Sequence, residues 1–265
     1  MPLIMSAPCR LFVETNGDDR RPALLLLNPL GSDLRIWDPM IDVLTEHHFV
    51  IRFDMRGHGR SVGDPGDFRI WDLVEDALSV LDSLAVPRSH LFGSSLGGLV
   101  AMSIAANHPN RVDRLVLAST STQLGPHHWW EQTIERIQKG GLEAIADHLE
   151  RRVLFSTQCQ NDAAHICAES RAMLLATPPE VYISGARAIM QTDFAQDAKK
   201  IRCSTLAIFG ENDPMLTYFP VTGLIDRIAD SEAVQVGGSA HRVISEQPSV
   251  VASVVNEFLT DPDGR

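Results

Sequence analysis

The sequence predicts an α/β fold, a mainly parallel β-sheet flanked by helices and interrupted by a helical insertion. Short apolar runs alternate with helical patterns as far as about Thr120, strand-like runs vanish from Thr122 to roughly Ala198, and the alternation then resumes.

Taken in order, Leu11 to Glu14 reads as a strand closed by the turn Asn16-Gly17. Ala23 to Leu27 and Phe49 to Phe53 read as buried strands, each running into a loop rich in Gly, Asp or Pro. Ile70, Leu73, Val74, Ala77, Leu81 and Leu84 recur at three- and four-residue steps, which puts one apolar stripe on a helix that covers the sheet. His90 to Gly93 follows as a strand, Leu96 to Asn107 as a helix ended by Pro109, and Leu115 to Ala118 as a strand. Trp130 to Gln138, Leu142 to Val153 and Ala163 to Leu175 are expected as helices. Thr205 to Phe209 and Ala233 to Val236 return to strand, and Val250 to Leu259 closes as a helix with Val251, Val254, Val255 and Phe258 on one face. The expected division is a core of residues 1–121 and 198–265 and a helical cap of residues 122–197.

At 265 residues, 44% hydrophobic and 22% charged, the chain has ample material for a core, which excludes disorder and fibrous repeats. A net charge of -11 argues against nucleic acid or an anionic membrane surface as partner. The acidity is uneven. Residues 122–200 hold 8 basic and 10 acidic side chains, so the cap is nearly neutral and suited to an anionic ligand that the core repels. Cys9, Cys159, Cys167 and Cys203 show no Cys-x-x-Cys spacing. Met1 to Arg10 lacks the charged and apolar blocks of a leader, and the densest apolar run, Ala23 to Leu27, is too short to span a bilayer. A soluble, cytoplasmic protein with free thiols is expected.

Gly93-Ser94-Ser95-Leu96-Gly97 matches G-x-S-x-G with Ser95 at its centre. Chance placement of the chain's Gly and Ser yields ~0.09 such matches, so context has to carry the weight. The motif sits between a strand and a helix, where a sharp turn lifts the serine hydroxyl above the strand ends and the helix N-terminus offers positive charge to an oxyanion. A serine is a weak nucleophile until a base held by a third group activates it. Downstream, Gly210-Glu211-Asn212-Asp213-Pro214 places Asp213 after one strand, and Gly237-Gly238-Ser239-Ala240-His241 places His241 after the next. Glu211 is the competing acid. His58, in Arg56-Gly57-His58-Gly59, precedes the serine and is assigned to structuring its loop. Leu96 supplies one oxyanion N–H, and in Asn28-Pro29-Leu30-Gly31, where proline has no N–H, Leu30 supplies the second. The Trp129-Trp130 pair caps an apolar patch or walls the pocket. No His-Glu-x-x-His, dinucleotide fingerprint or phosphate loop occurs, so neither a metal nor a cofactor is expected.

These segments, with Asp54 to Ser61, resemble the α/β-hydrolases, and the cap segments Leu124 to Pro126, Gly140 to Asp147 and Arg171 to Tyr182 make the chain most similar to the 3-oxoadipate enol-lactonases. The resemblance implies an eight-stranded α/β-hydrolase fold with Ser95, Asp213 and His241 as catalytic triad and Leu30 and Leu96 as oxyanion donors. It places Trp130 and Arg152 in the cap facing the substrate, Arg152 being suited to a carboxylate. Pro29, Leu96, Arg242 and Leu216 to Phe219 depart from the family's usual residues, and Arg242 is added as a substrate contact. The implied reaction is cofactor-free hydrolysis of a small carboxylated lactone in aromatic catabolism, most of all 3-oxoadipate enol-lactone. Another carboxylesterase or lactonase, a carbon–carbon bond hydrolase, a perhydrolase and a non-catalytic ligand-binding member stay open, as does a homo-oligomer.

Overall fold

The structure is a computed structural model and describes residues 3–217 and 222–261. Eight described strands form one sheet: β1 (Leu3–Ser6), β2 (Cys9–Asn16), β3 (Ala23–Leu27), β4 (Phe49–Phe53), β5 (Ser89–Ser94), β6 (Val112–Ala118), β7 (Thr205–Gly210) and β8 (Ser231–Val236). Their spatial order is β1-β2-β4-β3-β5-β6-β7-β8. β1 pairs antiparallel with β2 and β2 antiparallel with β4 at one edge, and the remaining neighbours run parallel. Parallel strands need covered faces on both sides, which is why β3 is apolar at every position.

The helices are α1 (Ile41–Leu44), α2 (Ile70–Ser83), α3 (Leu96–Asn107), α4 (His127–Gly140), α5 (Glu143–Leu149), α6 (Thr157–Asp162), α7 (Ala164–Ala176), α8 (Pro179–Met190), α9 (Thr222–Ile225), α10 (Val243–Glu246) and α11 (Pro248–Thr260). The period-two alternation of β3 divides the core. Leu25 and Leu27 pack with Leu73, Val74 and Ala77 of α2 and with Leu99, Val100 and Met102 of α3. Leu24 and Leu26 pack on the other face with Trp37, Met40, Leu44 and the Val251, Val255 and Phe258 stripe of α11. Helix α3 is buried from Leu96 to Ala106, so its uniformly apolar sequence is that of a central helix rather than an amphipathic one.

α4 to α8 fall between β6 and β7. The sequence reading lacks β1, α6, α8 and the single-turn helices α1, α9 and α10, and it joins α5 to a π-helical turn, Glu150–Leu154, as one helix. α8 opens on Pro178-Pro179, where proline in the first helical turn costs no hydrogen bond. β1 is four residues long and pairs with β2 as a tight hairpin; its exposed positions are the apolar Leu3 and Met5 and its buried ones Ile4 and Ser6, so no apolar–polar alternation marks it. Tyr218 and Phe219, part of the segment that departs from the family pattern, lie outside the described residues.

Candidate active site

Four loops meet where β3, β5, β7 and β8 end, the edge at which open α/β sheets bind ligands. The β5–α3 turn holds Ser95 at φ 52 and ψ -115, a conformation rare for residues with a side chain. Close packing sustains it. A Cβ on Gly97 would stand 2.0 Å from the Leu27 carbonyl oxygen, and one on Gly93 would stand 2.3 Å from that of Gly97. Ser95 N–H donates to the Ala118 carbonyl at 2.9 Å, and Thr120 Oγ1 donates to the Ser95 carbonyl at 3.0 Å, so β6 anchors the turn.

His241 bridges the serine and the acid. Its Nε2 lies 3.1 Å from Ser95 Oγ, and its Nδ1 lies 2.9 Å from Asp213 Oδ2. The ionised carboxylate can only accept, so Nδ1 carries the proton and Nε2 is free to take one from the serine. Asp213 is held in turn by the Met215 N–H at 2.9 Å on its other oxygen. Both Asp213 and His241 are buried. Glu211, the competing acid, is exposed and accepts from the Gly238 N–H at 3.1 Å, so it serves the neighbouring turn.

The loop after β3 is fixed by its own polar groups. Asn28 donates to the Phe53 carbonyl at 2.9 Å and accepts from the Trp37 indole at 2.7 Å. His58 donates through Nδ1 to the Arg56 carbonyl at 3.0 Å, leaving Nε2 to accept the Gly31 N–H at 3.3 Å. Burial pushes this imidazole below its usual value, which keeps Nε2 an acceptor. Gly31 is thus engaged, whereas the N–H groups of Leu30 and Leu96 donate to nothing among the described residues. Buried N–H groups are seldom left unpaired, and two beside one serine are a ready anion receptor.

A family model described as alpha/beta hydrolase fold matches residues 22–248. The chain belongs to the α/β-hydrolase fold family. It is 30% identical over 249 residues to 3-oxoadipate enol-lactonase 2 of Acinetobacter baylyi, covering 94% of this hydrolase and 92% of the relative. The crystal structure of the enol-lactonase from Burkholderia xenovorans LB400 superposes with a TM-score of 0.91 at 29% identity, covering 97% of this chain and 98% of that one. A thermophilic esterase from Thermogutta terrifontis gives 0.86 at 25% identity, covering 97% and 96%.

Above Ser95 and His241 the α/β-hydrolase has a small cavity of about 40 Å³, walled by Leu30, both Trp129 and Trp130, Tyr182, Met215 and Arg242 among others. The two indoles stand edge to face at 4.6 Å, and Trp130 is tied to the Leu124 carbonyl. The tryptophan pair therefore walls the cavity. Arg152 does not reach it. This side chain is exposed and lines an outer groove with Arg136 and His148. Groove and cavity share Trp129, Leu149, Val153 and Met215 as walls. Burial pushes the Tyr182 phenol up to about 12 despite the nearby Arg242 guanidinium.

Sequence reasoning missed Glu246. Its carboxylate accepts the Ala240 N–H at 2.7 Å and the Ser156 N–H at 2.9 Å, tying the His241 loop to the helical insertion. Only the third dimension brings these three positions together. Among the described residues no cluster of His, Cys, Asp or Glu side chains suits a metal ion.

Proposed function

We propose that this ester-bond hydrolase opens a small carboxylated lactone through a covalent acyl-serine intermediate, with 3-oxoadipate enol-lactone as the leading substrate. The observation that carries the reading is the unbroken hydrogen-bonded relay from Asp213 through His241 to Ser95, beside two unengaged N–H groups. His241, oriented by Asp213, takes the Ser95 proton as the hydroxyl attacks the lactone carbonyl. Leu30 and Leu96 N–H groups receive the oxyanion. His241 then protonates the departing enol oxygen, and a water activated by the same imidazole releases the acid. The enol tautomerises to a ketone, which draws ring opening forward. This chemistry uses only side chains and backbone of the protein.

Residues 122–197 act as the cap in this reading, Trp130 forming a wall and Arg152 drawing the anion toward the outer groove. The lactonase and esterase similarities support the ester-bond class, and the enol-lactonase similarity favours the enol-lactone. A reducing cytoplasm suits four cysteines that form no disulfide.

The deciding experiment compares kcat/KM on 3-oxoadipate enol-lactone, saturated lactones and simple esters, with Ser95→Ala as control. A preference of about 100-fold for the enol-lactone, abolished in the variant, is expected. Equal rates across the panel would reassign the substrate, and full activity in Ser95→Ala would discard the mechanism.

A further inference from the structure

The cavity over Ser95 has apolar and aromatic walls with one cation set into them. Arg242 is 3% exposed. Its Nη2 reaches the Leu30 carbonyl at a long 3.4 Å, while Nε and Nη1 have no partner among the described residues. Among the described residues no carboxylate lines the cavity. The nearby acids are already committed, Glu246 to the N–H groups of Ala240 and Ser156, and Asp213 to His241 and the Met215 N–H. The backbone holds the arginine in place, since its own N–H donates to the Leu154 carbonyl at 2.8 Å.

A buried guanidinium with unsatisfied donors and no counter-ion works against folding, so its presence calls for a compensating ligand. Burial pulls this guanidinium down only to about 10, so it stays charged at neutral pH. We propose that Arg242 is the anion-recognition residue of this site and selects substrates that carry a carboxylate near the scissile carbonyl. The proposal rests on the serine-hydrolase reading for its catalytic consequence, though its binding part stands by itself.

Three features favour a carboxylate. The planar fork of arginine matches carboxylate oxygens in pairs, and with Nε and Nη1 unpaired each of its two edges, Nε–Nη2 and Nη1–Nη2, keeps a free donor. One guanidinium neutralises one negative charge, whereas a phosphate would leave residual charge against tryptophan and leucine. The contact of Arg242 with the Leu30 carbonyl puts the cation one peptide away from an unengaged N–H of the oxyanion loop, so the bound carboxylate stands close to the reacting carbonyl. The approach agrees. Arg136, His148 and Arg152 line the outer groove without an acidic neighbour in its wall, giving an anion a cationic entry on a chain of net charge -11.

The test uses p-nitrophenyl half-esters of succinate, glutarate and adipate beside the corresponding p-nitrophenyl methyl diesters. For the wild type, the best half-ester should exceed its neutral partner by about 100-fold in kcat/KM, chiefly through KM. That ratio should collapse toward one in Arg242→Met and be partly retained in Arg242→Lys. Parity in the wild type, or an undiminished ratio in Arg242→Met, overturns the proposal. Calorimetric titration of glutarate into Ser95→Ala separates binding from catalysis. Saturable binding that weakens about 30-fold or more on adding Arg242→Met is expected, and absence of binding to Ser95→Ala counts against it. Binding through Arg242 in a protein that hydrolyses none of the esters would sink the hydrolase reading and leave the anion site standing.

Discussion

His58 accepts the Gly31 N–H at 3.3 Å and so fixes the peptide next to Leu30, whose unengaged N–H is the proposed oxyanion donor. His58 touches no reacting atom and acts by holding the loop. His58→Ala should lower kcat by about 10-fold or more with KM little changed, since a lost or misaimed oxyanion donor costs that much. His58→Gln, which can still accept the N–H, should recover part of the loss. A pure KM effect, or no effect, would refute the positioning role.

Asp213 and Glu211 sit two residues apart, but only Asp213 meets His241. Asp213→Asn, which keeps the shape and upsets the imidazole tautomer, should cost about 10³- to 10⁴-fold in kcat. Glu211→Gln should stay within about threefold of wild type. Comparable losses in both variants would show that the acid has been misassigned.

Gly97 admits no side chain, because its Cβ would collide with the backbone of β3. Gly97→Ala should destabilise the protein by about 1–3 kcal/mol or more by forcing α3 away from the sheet. Chemical denaturation measures this directly, and an unchanged midpoint would contradict the packing.

Arg56 and Asp76 form a buried two-bond pair, Nε to Oδ2 at 2.6 Å and Nη2 to Oδ1 at 2.9 Å, which fastens the loop after β4 to α2. Asp76→Ala should cost about 3–5 kcal/mol, since it strands a buried charge. The double variant Arg56→Met with Asp76→Ala should recover much of that. If the single variant unfolds no more readily than wild type, the pair is not a structural fastener.

Burial pushes the His90 imidazole from 6.5 down to about 4, with His48, Arg114 and Arg88 adding to the effect, and burial lowers His48 beside it as well. The two rings meet edge to face at 5.6 Å. A folded value below the unfolded one means that protonation favours unfolding, so this stabilisation is complete above 6.5 and fades as pH falls toward 4. The His90 shift corresponds to about 3 kcal/mol. Urea midpoints should therefore fall between about pH 7.5 and pH 4.5, and His90→Asn should flatten the trend. A wild-type midpoint insensitive to pH across that window would disprove it.

The sheet was readable because its strands are locally apolar and its turns carry Gly, Asp and Pro at the strand ends. Ser95, Asp213 and His241 were readable for a related reason, as each follows a strand in a short loop and chain order alone assigns distinct positions. The surroundings of the cavity were not. Arg152 and Arg242 look alike as sequence, and only packing sends the first to an outer groove and buries the second beside the serine. Glu246 gave no signal because its partners, Ala240 and Ser156, belong to segments that meet only after folding.

That carboxylate also couples the insertion to the loop that carries His241. While Glu246 grips both Ser156 and Ala240, the insertion cannot swing clear of the sheet without tugging the peptide adjacent to His241. In the proposed mechanism, a displaced insertion would therefore come with a disturbed base beside the serine.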